Sequence, residues 1–242
     1  MKERCNHDWE EKDNKLVCKK CNTDRLKLEK TKHDGLQVGI TDRGRTYSVR
    51  DYRNRFFFPE EWSKFYEALP NKSKPIFDVL INTGARIEEA LNIVPDDFKD
   101  EGRKTLTLRV TKKKAAKQER VGKQRTFAIS SQFYKRCKKY IEENHIGKKD
   151  KMFTTKSNTV WSMLRRRLKK QGVEDYYNFS LHNIRKTHGM WLKSLKIPME
   201  EICFRLGHDF DTYQKHYGSP DIFDGKHKRL MLNILGDVYN LN

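Results

Sequence analysis

Residues 181–195 read LHNIRKTHGMWLKSL, and this stretch settles much of the architecture. Leu181, Ile184, His188, Trp191 and Leu195 recur every three or four positions, the spacing of a helix face turned toward a core. His182 and Arg185 stand one turn apart on the same helix. Just downstream, Pro198 opens another helix, Gly207 stops it, and His208 follows the stop directly.

Upstream the helical signs continue. Val160, Trp161, Leu164 and Leu168 share a face that begins at Ser157 or Asn158 and ends at Gly172. Phe133, Cys137, Tyr140 and Ile141 share another. Pro59 suits the first turn of a helix reaching Leu69, and Pro75 that of a second ending at Asn82-Thr83-Gly84. Between these groups Leu106, Leu108 and Val110 alternate with polar residues, as do Phe127 and Ile129, which predicts a β-hairpin with a long basic tip. Beyond a Gly218-Ser219-Pro220 break, Leu230, Met231, Ile234, Leu235 and Val238 form a last apolar stripe at helical spacing.

The first thirty residues differ in kind. Cys5-x-His7 and Cys18-x-x-Cys21 supply four ligands in two close pairs, as a tetrahedral zinc site requires. Four protein ligands leave no open coordination position, so the expected zinc is structural. Trp9, Leu16 and Val17 are too few to make a core, and chelation would supply the folding energy of this unit. The pattern resembles small zinc-ribbon heads on nucleic-acid proteins. Residues 31–55, with Gly35, Gly39 and Gly44 among Arg43, Arg45, Arg50, Arg53 and Arg55, read as a basic linker or arm. The expected fold is mainly α with a small antiparallel β-hairpin or sheet, preceded by a zinc-ribbon-like unit.

Charge narrows the partners. Lys plus Arg number 52 against 33 Asp plus Glu, a net +19 in 242 residues, and the mean hydropathy is -0.95. A polyanion is the natural partner of such a chain, and no apolar run approaches the roughly 20 residues of a bilayer span. With no secretory h-region after Met1, a reducing cytoplasm is expected, where the five cysteines form no disulfide framework.

Arg86 follows Thr83-Gly84-Ala85, and Glu89 lies three residues on, placed to hold its guanidinium. Taken in order, TGARIEEAL at 83–91, HNIR at 182–185, LGH at 206–208 and Tyr217 nine residues beyond His208 resemble the signature of the tyrosine recombinase, or phage-type integrase, family. The resemblance spans about residues 56–222. It implies a catalytic domain there that cleaves and rejoins DNA at specific sites through a 3'-phosphotyrosine at Tyr217. It also implies a catalytic lysine on the basic hairpin, best matched by Lys112, with Lys113, Lys114 and Lys117 close by. Two departures stand out: Lys186 occupies a position where the family often has histidine, and only about 55 residues precede the catalytic body, so the zinc head and basic arm, or a partner, would have to take the place of the family's usual helical core-binding domain.

The chemistry suits these residue types. A phosphodiester under attack gathers charge on its nonbridging oxygens, and forked guanidiniums such as Arg86 and Arg185 match that geometry. His208 could donate to the same oxygens, and His182 could move protons near the nucleophile. No cofactor is needed for the cutting step. The family implies double-stranded DNA as substrate and four subunits on two duplexes, with residues 223–242 passing to a neighbouring protomer; packing in cis as the last core helix is the alternative for that segment. A silent zinc-headed DNA-binding regulator and a type IB topoisomerase-like nicking enzyme are the alternatives. The lysine-rich composition and ribbon-like head point to an archaeal or viral mobile element. If the zinc reading holds, chelation or Cys18→Ser unfolds residues 1–30 and weakens DNA binding, while a fragment starting near Phe56 stays folded. Metal analysis of protein purified without chelator, together with circular dichroism of both forms, checks this.

Overall fold

A computed structural model describes residues 9–12, 15–19, 37–40, 46–49, 55–109, 124–173, 175–217 and 221–239. The chain divides into two units, residues 1–54 and 55–242. In the first, β1 (Trp9–Lys12) pairs antiparallel with β2 (Lys15–Cys18), Trp9 opposite Cys18. A second hairpin joins β3 (Gln37–Ile40) to β4 (Thr46–Val49). This hairpin lies within residues 31–55, read above as a basic linker or arm. Val38 and Ile40, then Tyr47 and Val49, alternate as strand residues do, a signal hidden among arginines. Cys5, His7 and Cys21 lie outside the described residues, and Cys18 is described only as the end of β2.

The second unit is organised by the segment Phe56–Phe58. The Phe57 ring meets Phe179, Trp62 and Phe65 at centroid distances of 4.6, 5.3 and 5.6 Å, an aromatic cluster that seats the first helix. That helix, α1 (Pro59–Glu67), begins on its proline, and the Glu61 carboxylate accepts the Phe58 amide at 2.8 Å. Next, α2 (Lys74–Thr83) ends where Gly84 turns left-handed at φ 60. No other residue suits that position, because a Cβ there would sit 2.6 Å from the His188 ring. The short α3 (Ile87–Leu91) follows, with Arg86 as its N-cap residue.

The expected hairpin is present as β6 (Arg103–Arg109) and β7 (Gln124–Ala128), with Leu106 opposite Phe127 and Leu108 opposite Arg125. An additional strand, β5 (Phe98–Glu101), pairs with β6 to complete a three-stranded antiparallel sheet. Its exposed Lys99, Asp100 and Glu101 carry no apolar alternation, so nothing in the sequence marked it. The hairpin tip with Lys112, Lys113, Lys114 and Lys117 lies outside the described residues.

Helices complete the body: α4 (Ser131–Glu143), α5 (Ser157–Lys170), α6 (Leu181–Ser194), α7 (Met199–Leu206), α8 (Phe210–Tyr217) and α9 (Gly225–Leu235). Instead of showing one face to the core, α6 is buried at every position from Asn183 to Leu192. Backbone groups of other segments tie it down. The Phe57 amide donates to Thr187 Oγ1 at 2.9 Å, Trp191 Nε1 donates to the Phe57 carbonyl at 3.1 Å, and His188 Nδ1 donates to the Ile81 carbonyl at 2.7 Å. Burial, then the nearby Arg205 charge, push the His188 imidazole down to about 3, so it is neutral throughout the working range. Among the described residues no helix is long and apolar enough to cross a membrane.

The last helix, α9, lies within residues 223–242, the segment expected to pass to a neighbouring protomer. In the single chain α9 packs in cis on α1, α2 and α6, with Met231 and Leu235 at 0% and 1% exposure. Its start is fixed locally. The Asp224 carboxylate accepts the Lys226 and His227 amides at 2.9 and 3.0 Å, and the Phe223 ring joins Phe56 and Phe58. Within this chain, then, Met231 and Leu235 of the apolar stripe are covered, while Leu230, Ile234 and Val238 stay partly exposed. Met231→Ala is expected to destabilise the protein by about 2–5 kcal/mol, measured by chemical denaturation; a value near zero would mean that α9 contributes nothing to the fold of its own chain.

Candidate active site

Arg86, the first residue of the site in the chain, is held by Glu89 twice: its amide donates to one carboxylate oxygen and its Nη1 to the other, both at 2.9 Å. The first contact is a helix cap and the second an ion pair, so one carboxylate fixes both the backbone and the side chain of Arg86. Glu89 is itself 1% exposed. Arg125, on β7, reaches it from the opposite side with a forked pair at 2.9 and 3.4 Å. Burial would raise the Glu89 pKa, but the hydrogen bonds and charge of Arg125, joined by those of Arg86, outweigh it and hold the carboxylate below its usual range.

From α6, Arg185 extends between two helix ends. Its Nη1 donates to the Gly84 carbonyl at 2.7 Å and its Nη2 to the Leu206 carbonyl, next to the left-handed Gly207. Both carbonyls belong to helix C-termini, where partial negative charge collects. Burial, then the neighbouring Arg86 charge, push the Arg185 guanidinium down to about 9, with Tyr217 and Glu89 acting the other way.

His208 follows Gly207, its amide bonded back to the Cys203 carbonyl at 3.0 Å. The tyrosine comes from α8. Tyr217 is 1% exposed, its ring stacked 6.0 Å from His208 at 27° and 5.4 Å from Tyr213. A slot at Gly189 of α6 admits the ring, since a Cβ there would lie 2.6 Å from Tyr217 Cε1. Burial pushes the phenol up to about 12, against the pull of the Arg185 and Arg86 charges.

The structure thus brings together Arg86, Glu89, Arg185, His208 and Tyr217. His182 lies in the first turn of α6 with its side chain exposed. Lys112 lies outside the described residues, and among those described no group of three or more potential ligands gathers for a metal. Sequence reasoning missed Arg125, whose place two residues before Phe127 puts it on the inward face of β7; an arginine in an apolar alternation was the available signal. It also missed Arg205, 2% exposed, with its guanidinium 5.0 Å from the Phe127 ring centroid. Arg86, Arg125 and Arg185 surround the single carboxylate of Glu89, so the site carries an excess of positive charge suited to an anion.

The sequence profile of the phage integrase family matches residues 55–221. No curated protein sequence matches the chain. Among solved structures, XerH site-specific recombinase bound to palindromic difH substrate in a post-cleavage complex is 18% identical with a TM-score of 0.55, covering 67% of this chain and 49% of that one. XerA recombinase is 19% identical with a TM-score of 0.55, covering 74% and 64%. Tn1549 transposon integrase in complex with transposon right end DNA is 14% identical with a TM-score of 0.52, covering 75% and 66%. These are likenesses of fold, and this chain spans from about half to just under two thirds of the length of those proteins.

The slot at Gly189 can be tested without substrate. Gly189→Ala is expected to displace the Tyr217 ring toward solvent, and since burial is the largest cause of its raised value, its titration moves down from about 12 toward an ordinary phenol. Ultraviolet difference titration against a Tyr217→Phe control measures this. An unchanged phenol in the alanine variant would mean the ring does not depend on the slot.

Proposed function

The chain belongs to the phage integrase family, and on that premise we propose that it is a site-specific DNA recombinase acting through a covalent 3'-phosphotyrosine at Tyr217. The observation that carries the proposal is the convergence of one buried tyrosine with two guanidiniums, Arg86 and Arg185, whose charges both reach its phenol. In the first step the Tyr217 oxygen attacks the phosphorus, its proton passing to a base, and the bond to the 5'-oxygen breaks. The 5'-oxygen leaves as a hydroxyl after taking one proton, a role we assign to Lys112 on the hairpin tip. In the second step a 5'-hydroxyl attacks the phosphotyrosine and releases Tyr217. Each step exchanges one phosphoester for another, so the bond energy is conserved and neither step requires a cofactor.

Arg86 and Arg185 would clamp the nonbridging oxygens, with His208 donating beside them and His182 relaying protons. Double-stranded DNA is the proposed substrate, four subunits on two duplexes the assembly, and the cytoplasm the compartment. Cys5, His7, Cys18 and Cys21 are proposed to hold a structural zinc. Supporting this, the register that sets Trp9 opposite Cys18 joins the two ends of the hairpin from which the ligand pairs continue.

The test begins with a pool of nicked, end-labelled duplexes of randomised sequence, from which detergent-resistant protein–DNA adducts are recovered and sequenced. Tyr217→Phe is expected to abolish adducts and leave DNA affinity nearly unchanged, because one hydroxyl adds little to many phosphate contacts. Adducts that persist in Tyr217→Phe and vanish in Tyr213→Phe would move the nucleophile one turn along α8. Arg86→Ala or Arg185→Ala should remove roughly 3–4 kcal/mol of transition-state stabilisation, about a 100- to 1000-fold loss in cleavage rate. Equal losses in rate and affinity would instead make these residues ordinary phosphate contacts.

A further inference from the structure

Arg125 belongs to none of the motifs quoted above, yet it touches three parts of the site at once. Its Nη atoms fork onto Glu89, the carboxylate that grips Arg86. Its Nε donates to the Arg205 carbonyl at 3.2 Å, in the last turn of α7. Its guanidinium also lies against Gly207, where a Cβ would come 2.8 Å from Nη1, and Gly207 immediately precedes His208. The residue is 6% exposed, so these contacts are made away from solvent.

Resting on the strand-transfer reading above, we propose that Arg125 is a positioning residue: it sets Arg86 through Glu89 and sets His208 through Gly207. It need not meet the phosphate itself. Glu89 is faced by Arg86 from α3, Arg125 from β7 and the charge of Arg185 from α6. Without Arg125 the burial of Glu89 is opposed by fewer partners, and the carboxylate takes up a proton at higher pH. Once protonated it no longer holds Arg86 by charge. Adduct formation then falls as pH drops through a range where the wild type is unaffected.

The experiment uses the full chain and a nicked duplex recovered from the randomised pool. Arg125→Gln is expected to lower the single-turnover rate of adduct formation about 100-fold at neutral pH, the loss typical of a misplaced reacting group, with DNA affinity unchanged. Its acid limb moves to higher pH. In a Glu89→Gln background the same substitution moves no acid limb. Arg125→Lys keeps the charge but not the fork, so its rate falls between the wild type and Arg125→Gln with the acid limb in place. Loss of affinity in parallel with rate, or a wild-type rate and pH profile in Arg125→Gln, overturns the proposal. Should Arg125→Gln fail to fold, Arg125→Lys decides, and a wild-type rate from it has the same overturning force. Failure of the underlying reading has a different signature: the wild type itself forms no adduct, or Tyr217→Phe still does.

Discussion

The rest of the site depends on one buried carboxylate. Glu89 accepts four N–H groups, two from Arg86 and two from Arg125, and it is almost completely removed from water. A charge so placed is tolerable only when fully partnered, and losing one partner of such a pair costs on the order of 3–5 kcal/mol. That constraint links the end of α2, the start of α3 and the strand β7 into one arrangement. It also keeps two guanidiniums near each other that would otherwise repel, and so makes a concentrated positive site possible at all.

The second organising element is α6, which acts as an axis through the body. It is pinned at Phe57 by Thr187 and Trp191 and at Ile81 by His188, so its backbone has little freedom. From this fixed axis Arg185 spans the carbonyls of Gly84 and Leu206, and Gly189 makes room for Tyr217. The positive φ values of Gly84 and Gly207 aim two helix ends at the same guanidinium. Preorganisation follows: Arg185 is already oriented by two backbone acceptors before any substrate arrives.

What the sequence revealed depended on whether a signal was local. Arg86 and Glu89 could be paired from their spacing, and the stops at Gly84 and Gly207 from their residue type. The hairpin was visible in the alternation around Leu106 and Phe127. Arg125 was not, because its partners lie 36 and 80 residues away and only tertiary packing joins them. The strands β3 and β4 were obscured by the arginines around them. For α9, the apolar stripe correctly marked a helix, but a stripe cannot say which body covers it. The cap at Asp224 acts locally, on the Lys226 and His227 amides, whereas the contact of Phe223 with Phe56 joins residues distant in the chain and only tertiary packing supplies it.

The electrostatics of the site bear on when Tyr217 could ionise under the proposed function. In the free chain two opposing effects act on its phenol: burial raises it, and the Arg185 and Arg86 charges lower it, leaving it near 12. A bound phosphodiester adds one negative charge beside those guanidiniums. That charge favours protonated Arg185, whose own value burial has pushed down to about 9, and it disfavours the phenolate. Substrate binding therefore strengthens the clamp while making a pre-formed phenolate harder to reach. The proton must therefore leave Tyr217 as the bond to phosphorus forms rather than before it.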